Sequence, residues 1–296
     1  MVRPVRFAFN EETAGSNAFQ KKSEGEGASL SELAVKEFDA FVAMLRENGV
    51  KVSVLQDTSE PFTPDSIFPN NCFSTHFDDR KRVLVLYPML APNRRLERKK
   101  LLPFLTSQFS VPGSPLSLTH YEAEGQYLEG TGSLILDREH RIAYACRSPR
   151  TSEVVVKEWA SRMKYDYFLF ESEDQQGVPV YHTNVMMNVG TRLAIVCMES
   201  IKDTQQRKRL AELLGENGKE VVEISFEQMN QFAGNMLELK NDKGEKLLIM
   251  SLTARKSLTP QQVSILEKDV RIISPDIPTI ERIGGGSARC MLAEIF

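Results

Sequence analysis

The chain has 296 residues, 41% of them apolar, enough to bury a large core in one or two domains. Its net charge of −3 offers no basic field to nucleic acid, no apolar run approaches the ~18 residues of a membrane span, and the N-terminus lacks the apolar centre of a signal peptide. Four cysteines, Cys72, Cys146, Cys197 and Cys290, stand far apart with no C-x-x-C pair, which argues against a zinc site or a disulfide framework and fits a reducing cytoplasm.

In chain order, Val5–Phe9 reads as a strand and residues 10–27 as a polar loop, of a length that is usually functional or mobile. Ser29-Leu30-Ser31-Glu32 has the form of a capping box. Leu30, Leu33, Phe38, Phe41, Val42 and Leu45 then share one helical face, Asn48-Gly49 ends the helix, and Lys51–Leu55 reads as a strand. Four units follow in one order: hairpin, helix, strand. Phe73–Phe77 and Val83–Tyr87 flank the turn Asp78–Lys81, a charged helix begins near Arg94, and the closing strand is not legible. Leu134–Asp137 and Ile142–Cys146 precede a helix over Ser152–Met163 and a strand over Tyr167–Glu171. Val185–Val189 and Leu193–Cys197 precede a helix over Asp203–Leu214 and a strand over Glu220–Ile224. Met236–Lys240 and Lys246–Ser251 precede a helix over Thr259–Lys268 and a strand over Val270–Ser274.

The chain ends supply the parts of a fifth unit, with Met291–Phe296 as one of its strands. A repeat that cannot bury its own faces implies a solenoid or a propeller, and a unit split between the termini favours a closed ring. The expected architecture is one domain over residues 1–296, a five-bladed α/β propeller of ββαβ-type repeats around a central pocket.

A polar group sits at the start of each unit's first strand: Asn71, Glu129, His182, Asn235 and Cys290, spaced by 58, 53, 53 and 55 residues. In a closed ring these equivalent positions surround one axis. Each residue has an ordinary structural reading as well. Cys290, after Gly284-Gly285-Gly286, could be a buried small hydrophobe, His182 a core histidine, and Glu129 or Asn71 a turn residue. Their shared phase favours a catalytic cysteine, histidine and glutamate. Arg94 and Arg150 follow Asn71 and Glu129 by 23 and 21 residues, each near the start of its unit's helix. Arginine forks suit a substrate carboxylate, although two solvated surface arginines would show the same spacing.

With these motifs the chain resembles the guanidino-group modifying, or amidinotransferase, superfamily of pentein fold, which includes arginine deiminases and dimethylarginine dimethylaminohydrolases. The resemblance covers most of the chain. It rests on Phe68-Pro69-Asn70-Asn71, Arg94-x-x-Glu97, Glu129-Gly130-Thr131-Gly132, Arg150-Thr151, His182-Thr183-Asn184 and the stretch Gly284–Cys290. It implies Cys290 as nucleophile, His182 as general acid and base, and Glu129 as the carboxylate that grips the reacting group. It further implies Arg94 and Arg150 on a substrate α-carboxylate and Asp65 on the α-amino group. No metal or organic cofactor is implied, the partner is a small amino acid, and a homo-oligomer is left open.

Two departures bear on substrate. Arginine deiminases carry aspartates where Asn71 and Asn184 stand, and neutral amides there suit the ureido group of citrulline better than a guanidinium. With Phe9-Asn10-Glu11-Glu12-Thr13-Ala14 and Asn17-Ala18-Phe19-Gln20, the pattern looks most like the citrulline utilisation hydrolase branch. Cys72 stands where that branch tends to carry a tryptophan in the pocket wall. The alternatives are a deiminase, a dimethylarginine hydrolase or an amidinotransferase. A non-catalytic binding protein is a further one, since a ribosome-binding factor shares the fold.

Overall fold

The computed structural model describes residues 1–22, 27–78, 81–109 and 114–296. The chain begins with β1 (Val2–Arg3), the single turn α1 (Glu11–Ala14), α2 (Gly27–Glu47) and β2 (Leu55–Gln56). β1 and β2 pair in parallel, Val2 with Leu55 and Arg3 with Gln56. The strand expected over Val5–Phe9 is therefore absent, and the one expected over Lys51–Leu55 is shortened. Pro4 has no N–H to continue the ladder, and Phe7 turns inward, 1% exposed, to join the core. In α2 the buried face is Ala34, Phe38, Phe41, Val42 and Leu45, whereas Leu33 is exposed. The helix also begins before Ser29, so that serine lies within it rather than capping it. Residues 23–26 of the expected loop and 79–80 of the first hairpin turn lie outside the described residues.

The four expected units are present. In the first, β3 (Phe73–Asp78) and β4 (Lys81–Leu86) are followed by α3 (Pro92–Arg95), α4 (Glu97–Phe109) and β5 (Leu116–Ser117), the strand that could not be read from sequence. The second has the turn α5 (Gly130–Ser133), β6 (Ile135–Asp137), β7 (Ile142–Cys146), α6 (Glu153–Met163) and β8 (Asp166–Phe170). The third has α7 (Thr183–Met186), β9 (Met187–Val189), β10 (Leu193–Val196), α8 (Thr204–Glu216) and β11 (Glu220–Glu223). The fourth has α9 (Phe226–Met229), β12 (Leu237–Lys240), β13 (Lys246–Ile249), α10 (Leu252–Ser257), α11 (Pro260–Glu267) and β14 (Arg271–Ile273). A last helix, α12 (Pro278–Gly284), leads to Cys290.

Each unit makes its own three-stranded sheet. The middle strand pairs antiparallel with its hairpin partner and parallel with the strand that returns after the helix. Caps mark the helix starts: Asp203 accepts from two backbone N–H groups of α8, and Thr259 forms a capping box with Gln262 on α11. First strands of successive units are neighbours, β6 beside β9 and β9 beside β12, with α5 against β3.

Met291–Phe296 has no ladder partner among the described residues and is not the strand expected. Arg289 curls the chain, its Nη1 donating to the Leu292 carbonyl while its own carbonyl accepts from the Leu292 N–H. The tail is fastened to β3 by a side chain instead: Thr75 Oγ1 donates to the Glu294 carbonyl at 2.8 Å and accepts from the Phe296 N–H at 3.0 Å. These bonds bring the last residues back to the first unit and close a five-bladed α/β propeller. No described helix is long and apolar enough to cross a membrane.

Candidate active site

The polar residues at one phase of the repeat sit on short turns that feed the first strands. Asn71 ends a 3₁₀ turn, Pro69–Asn71, while Glu129 and His182 precede the first residues of α5 and α7. The turns, rather than the strands, aim these side chains inward.

Glu129 and His182 meet directly, His182 Nε2 lying 2.8 Å from Glu129 Oε2. The carboxylate is fully buried and held at both oxygens: Oε1 accepts from the Leu90 N–H at 3.0 Å, and Oε2 also faces Arg150 Nη1 at 3.4 Å. Burial works to raise the Glu129 pKa, but the Arg150 charge and the His182 hydrogen bond outweigh it and hold it below the ordinary value. Burial lowers the His182 pKa from 6.5 to about 4, against the pull of Glu129. At neutral pH the imidazole is therefore neutral. The acceptor at Nε2 places the proton there and leaves Nδ1 as a base.

The low His182 value has a consequence for stability. Between the folded value of about 4 and the ordinary 6.5 the unfolded chain binds the proton and the folded chain does not. The stabilisation is complete above that window and is lost as pH falls through it. Glu129, with its depressed pKa, acts with the same sign at lower pH. Urea midpoints should drop steeply across the window, and His182→Gln should flatten the drop. An unchanged slope in the variant would show that His182 does not carry the linkage.

Cys290 lies on the turn after α12 and is 5% exposed. Its Sγ accepts from Asn184 Nδ2 at 3.4 Å and from Asn235 Nδ2 at 3.2 Å. Asn235 occupied the fourth phase position in the sequence without an assigned role. It also accepts from the Arg289 N–H and donates to the Asn184 carbonyl, so it braces the thiol from two sides. The other three cysteines are fully buried; burial raises the thiol of Cys146 to about 11 and that of Cys197 to about 12. Cys72, expected at the pocket wall, packs in an apolar cluster with Phe73, Leu84 and Met89.

Arg94 and Arg150 are both buried, and they differ in what they hold. The Arg94 fork grips Glu97 through Nε at 2.8 Å and Nη2 at 3.2 Å, donates to the Phe68 carbonyl, and donates from Nη1 to Asn71 Oδ1 at 2.8 Å. Burial alone would lower the Arg94 pKa; Glu97 and Asp65 outweigh it and hold it above its ordinary value. Arg150 has neutral partners on one edge, Ser16 Oγ at 2.7 Å and the Thr13 carbonyl at 3.3 Å, and lies over the Tyr181 ring.

Ser16 and Thr13 belong to the polar segment 10–22, which crosses the site. Asn10 and Thr13 both donate to Asp65 Oδ2, Asn17 reaches the Gly284 and Gly285 carbonyls, and the Lys21 N–H reaches the Arg282 carbonyl. Gly285, at φ +63°, supplies a left-handed bend there that a side chain would strain. Asp65 is pushed up by burial, with the Arg94 charge opposing.

Buried side-chain atoms without a hydrogen-bond partner concentrate in these residues: Gln20 Nε2, Asp65 Oδ1, both polar atoms of Asn70, Asn71 Nδ2 and Asn184 Oδ1. Such groups are rare in folded chains, and a cluster of them marks where a polar ligand completes the bonding. Gly132 shows how tight the floor is. A Cβ there would lie 2.3 Å from Asn71 Nδ2 and 2.9 Å from His182 Nδ1. Gly132→Ala should displace both side chains and cut kcat/KM about a hundredfold, at a cost in stability of about 1–3 kcal/mol. Wild-type kinetics in that variant would remove Asn71 and His182 from the same reacting centre.

The family model for N,N dimethylarginine dimethylhydrolase, eukaryotic, matches residues 3–296. No curated protein matches the sequence. Among solved structures, the N-terminal domain of ArgZ bearing a covalent reaction intermediate is similar at 16% identity and a TM-score of 0.76, over 100% of this chain and 96% of that one. Unliganded AgrE is similar at 17% identity and a TM-score of 0.76, over 100% of this chain, which spans only 38% of AgrE. A dimethylarginine dimethylaminohydrolase adduct is similar at 15% identity and a TM-score of 0.63, over 88% of this chain and 90% of that one. The chain thus belongs to the family of N,N dimethylarginine dimethylhydrolases, within the guanidino-group modifying enzymes of pentein fold, and is a hydrolase of carbon–nitrogen bonds.

Proposed function

We propose that the chain hydrolyses the ureido group of citrulline to ornithine, carbon dioxide and ammonia through a covalent intermediate on Cys290. The observation that carries this reading is the orientation of Asn71. Arg94 holds its Oδ1, which turns a buried and unpartnered Nδ2 donor toward Gly132 and His182. A donor there can donate to the ureido oxygen and opposes the N–H groups of a guanidinium. Asn184 is the complement: Nδ2 goes to Cys290 and Oδ1 remains an acceptor for a ureido NH₂.

In this mechanism the Cys290 thiol gives its proton to His182, and sulfur attacks the ureido carbon. Asn71 donates to the developing oxyanion. His182 protonates the departing nitrogen, and ammonia leaves. The same imidazole then takes a proton from water, which cleaves the S-thiocarbamate and releases the Cys290 sulfur, and the resulting carbamate decomposes to ornithine and carbon dioxide. Arg150 receives the α-carboxylate in place of Ser16, and Asp65 receives the α-amino group. The Arg94 fork is filled by Glu97, Phe68 and Asn71, so Arg94 acts on the substrate through Asn71. Arg150→Lys should raise KM about ten- to hundredfold with a smaller change in kcat, since lysine loses the bidentate contact. An unchanged KM would place the carboxylate elsewhere.

A second reading, hydrolysis of arginine or a methylated arginine, is supported by the ionised Glu129 beside the reacting centre. It is also supported by the descriptions of similar proteins, since ArgZ is called an arginine dihydrolase from cyanobacteria and the family model names dimethylarginine. Ammonia and ornithine release from citrulline, arginine, agmatine and methylated arginines separates the readings. Release from citrulline with no added cofactor is expected. Release only from the guanidines would sink the ureido reading.

A further inference from the structure

The catalytic turns lie at one end of the first strands. At the other end, by the hairpin turns of β6, β9 and β12, a cleft of about 420 Å³ enters the ring as far as Thr131. Four cations line it. Arg138 is paired with Glu294 at 3.2 Å, and Lys219, whose side chain is fully buried, with Asp137 at 3.0 Å. Lys240 is exposed at the rim, as is Glu139, with Glu238 half-buried beside it. Arg289 differs from the rest. It is 4% exposed, its guanidinium donates to the Leu292 carbonyl at 2.9 Å, and no carboxylate among the described residues lies in ion-pair reach of it. A buried guanidinium so poorly compensated is costly. Burial lowers its pKa, although Glu294 stands close enough to oppose that. Asn188 lines the same cleft. Its Nδ2 donates to the Met236 carbonyl at 2.7 Å, and its buried Oδ1 accepts nothing.

We propose that this rear cleft binds a small oxyanion carrying one hydroxyl, hydrogencarbonate or hydrogenphosphate, with its charged oxygens on Arg289 and its O–H serving Asn188. The charged oxygens fit a fork with N–H groups to spare, and the hydroxyl supplies the donor that sulfate lacks. Arg138 and Lys219 are already neutralised by Glu294 and Asp137, so the incoming charge falls on Arg289.

The position of Arg289 couples the cleft to the thiol. It precedes Cys290, its N–H donates to Asn235 Oδ1 at 3.1 Å, and Asn235 Nδ2 donates to Cys290 Sγ at 3.2 Å. An anion on Arg289 cancels a positive charge beside the sulfur, so binding should slow the chemistry of a Cys290 thiolate.

The test titrates the intact protein with sodium hydrogenphosphate and, separately, with hydrogencarbonate, chloride keeping ionic strength fixed. Binding is read by calorimetry and the alkylation rate of Cys290 by peptide mass spectrometry. Saturable binding with a Kd of about 1–10 mM is expected, tighter than sulfate, with Cys290 alkylation slowed about threefold or more at saturation. The tighter of the two anions names the occupant. Lys240→Glu changes only the exposed rim and should raise the Kd about tenfold. Arg289→Gln should abolish binding and the effect on alkylation together. No saturable heat from either anion with the wild type would overturn the site, as would a Kd unmoved by Lys240→Glu.

Discussion

Cys290→Ser should lower kcat by at least about 10⁴-fold while leaving the melting temperature within a few degrees of wild type. The hydroxyl has a similar volume and can accept from Asn184 and Asn235 as the sulfur does, so the fold has little to lose. At neutral pH it is a far weaker nucleophile, and His182 cannot compensate. Circular dichroism confirms folding and ammonia release reports turnover. Wild-type-like turnover in the folded serine variant would remove Cys290 from the reaction. The loss should be specific to this cysteine, because Cys72, Cys146 and Cys197 are sealed in the core.

The double variant Asn71→Asp/Asn184→Asp should lose citrulline kcat/KM by about 10³-fold or more, each amide contributing ~1–3 kcal/mol. At position 71 the aspartate keeps the Arg94 contact but puts a negative oxygen where the Nδ2 donor faced the oxyanion. At position 184 it removes the donor to Cys290 and sets a charge against the thiolate. The same charges compensate a guanidinium, so arginine should bind about tenfold more tightly, without necessarily turning over. Both substrates should be measured on both proteins at one pH. Citrulline kinetics that survive the double substitution would show that the amides do not select the substrate.

Much of this arrangement was legible in the sequence because the repeat carries it. Asn71, Glu129, His182, Asn235 and Cys290 recur at one phase, and the fold brings Glu129 onto His182 and Asn235 onto Cys290. The role of Asn235 is not legible there, because an amide has no chemical signature until its partners are known. Arg94-x-x-Glu97 was visible as a motif, but that Glu97 fills the arginine fork is a matter of rotamers and burial. The grip of Asn10, Thr13 and Ser16 on Asp65 and Arg150 spans contacts more than 50 residues apart, which polar composition cannot reveal. The largest departures lie at the chain ends, while Val185 and Met186, expected in a strand, form the last residues of α7. Pro4 cut the first strand short, and the Arg289–Leu292 turn replaced the last one with a tail held by Thr75. In both places a local hydrogen-bond constraint overrode an apolar run that suggested a strand.

The most direct measurement for the central claim is a competition. Citrulline and arginine are supplied together at equal concentration to the wild-type protein, and the loss of each is followed in one reaction. The ratio of the two rates is the ratio of kcat/KM. If Asn71 and Asn184 recognise a neutral ureido group, citrulline should disappear at least about a hundredfold faster. Faster loss of arginine would contradict the account and make the chain a guanidine hydrolase.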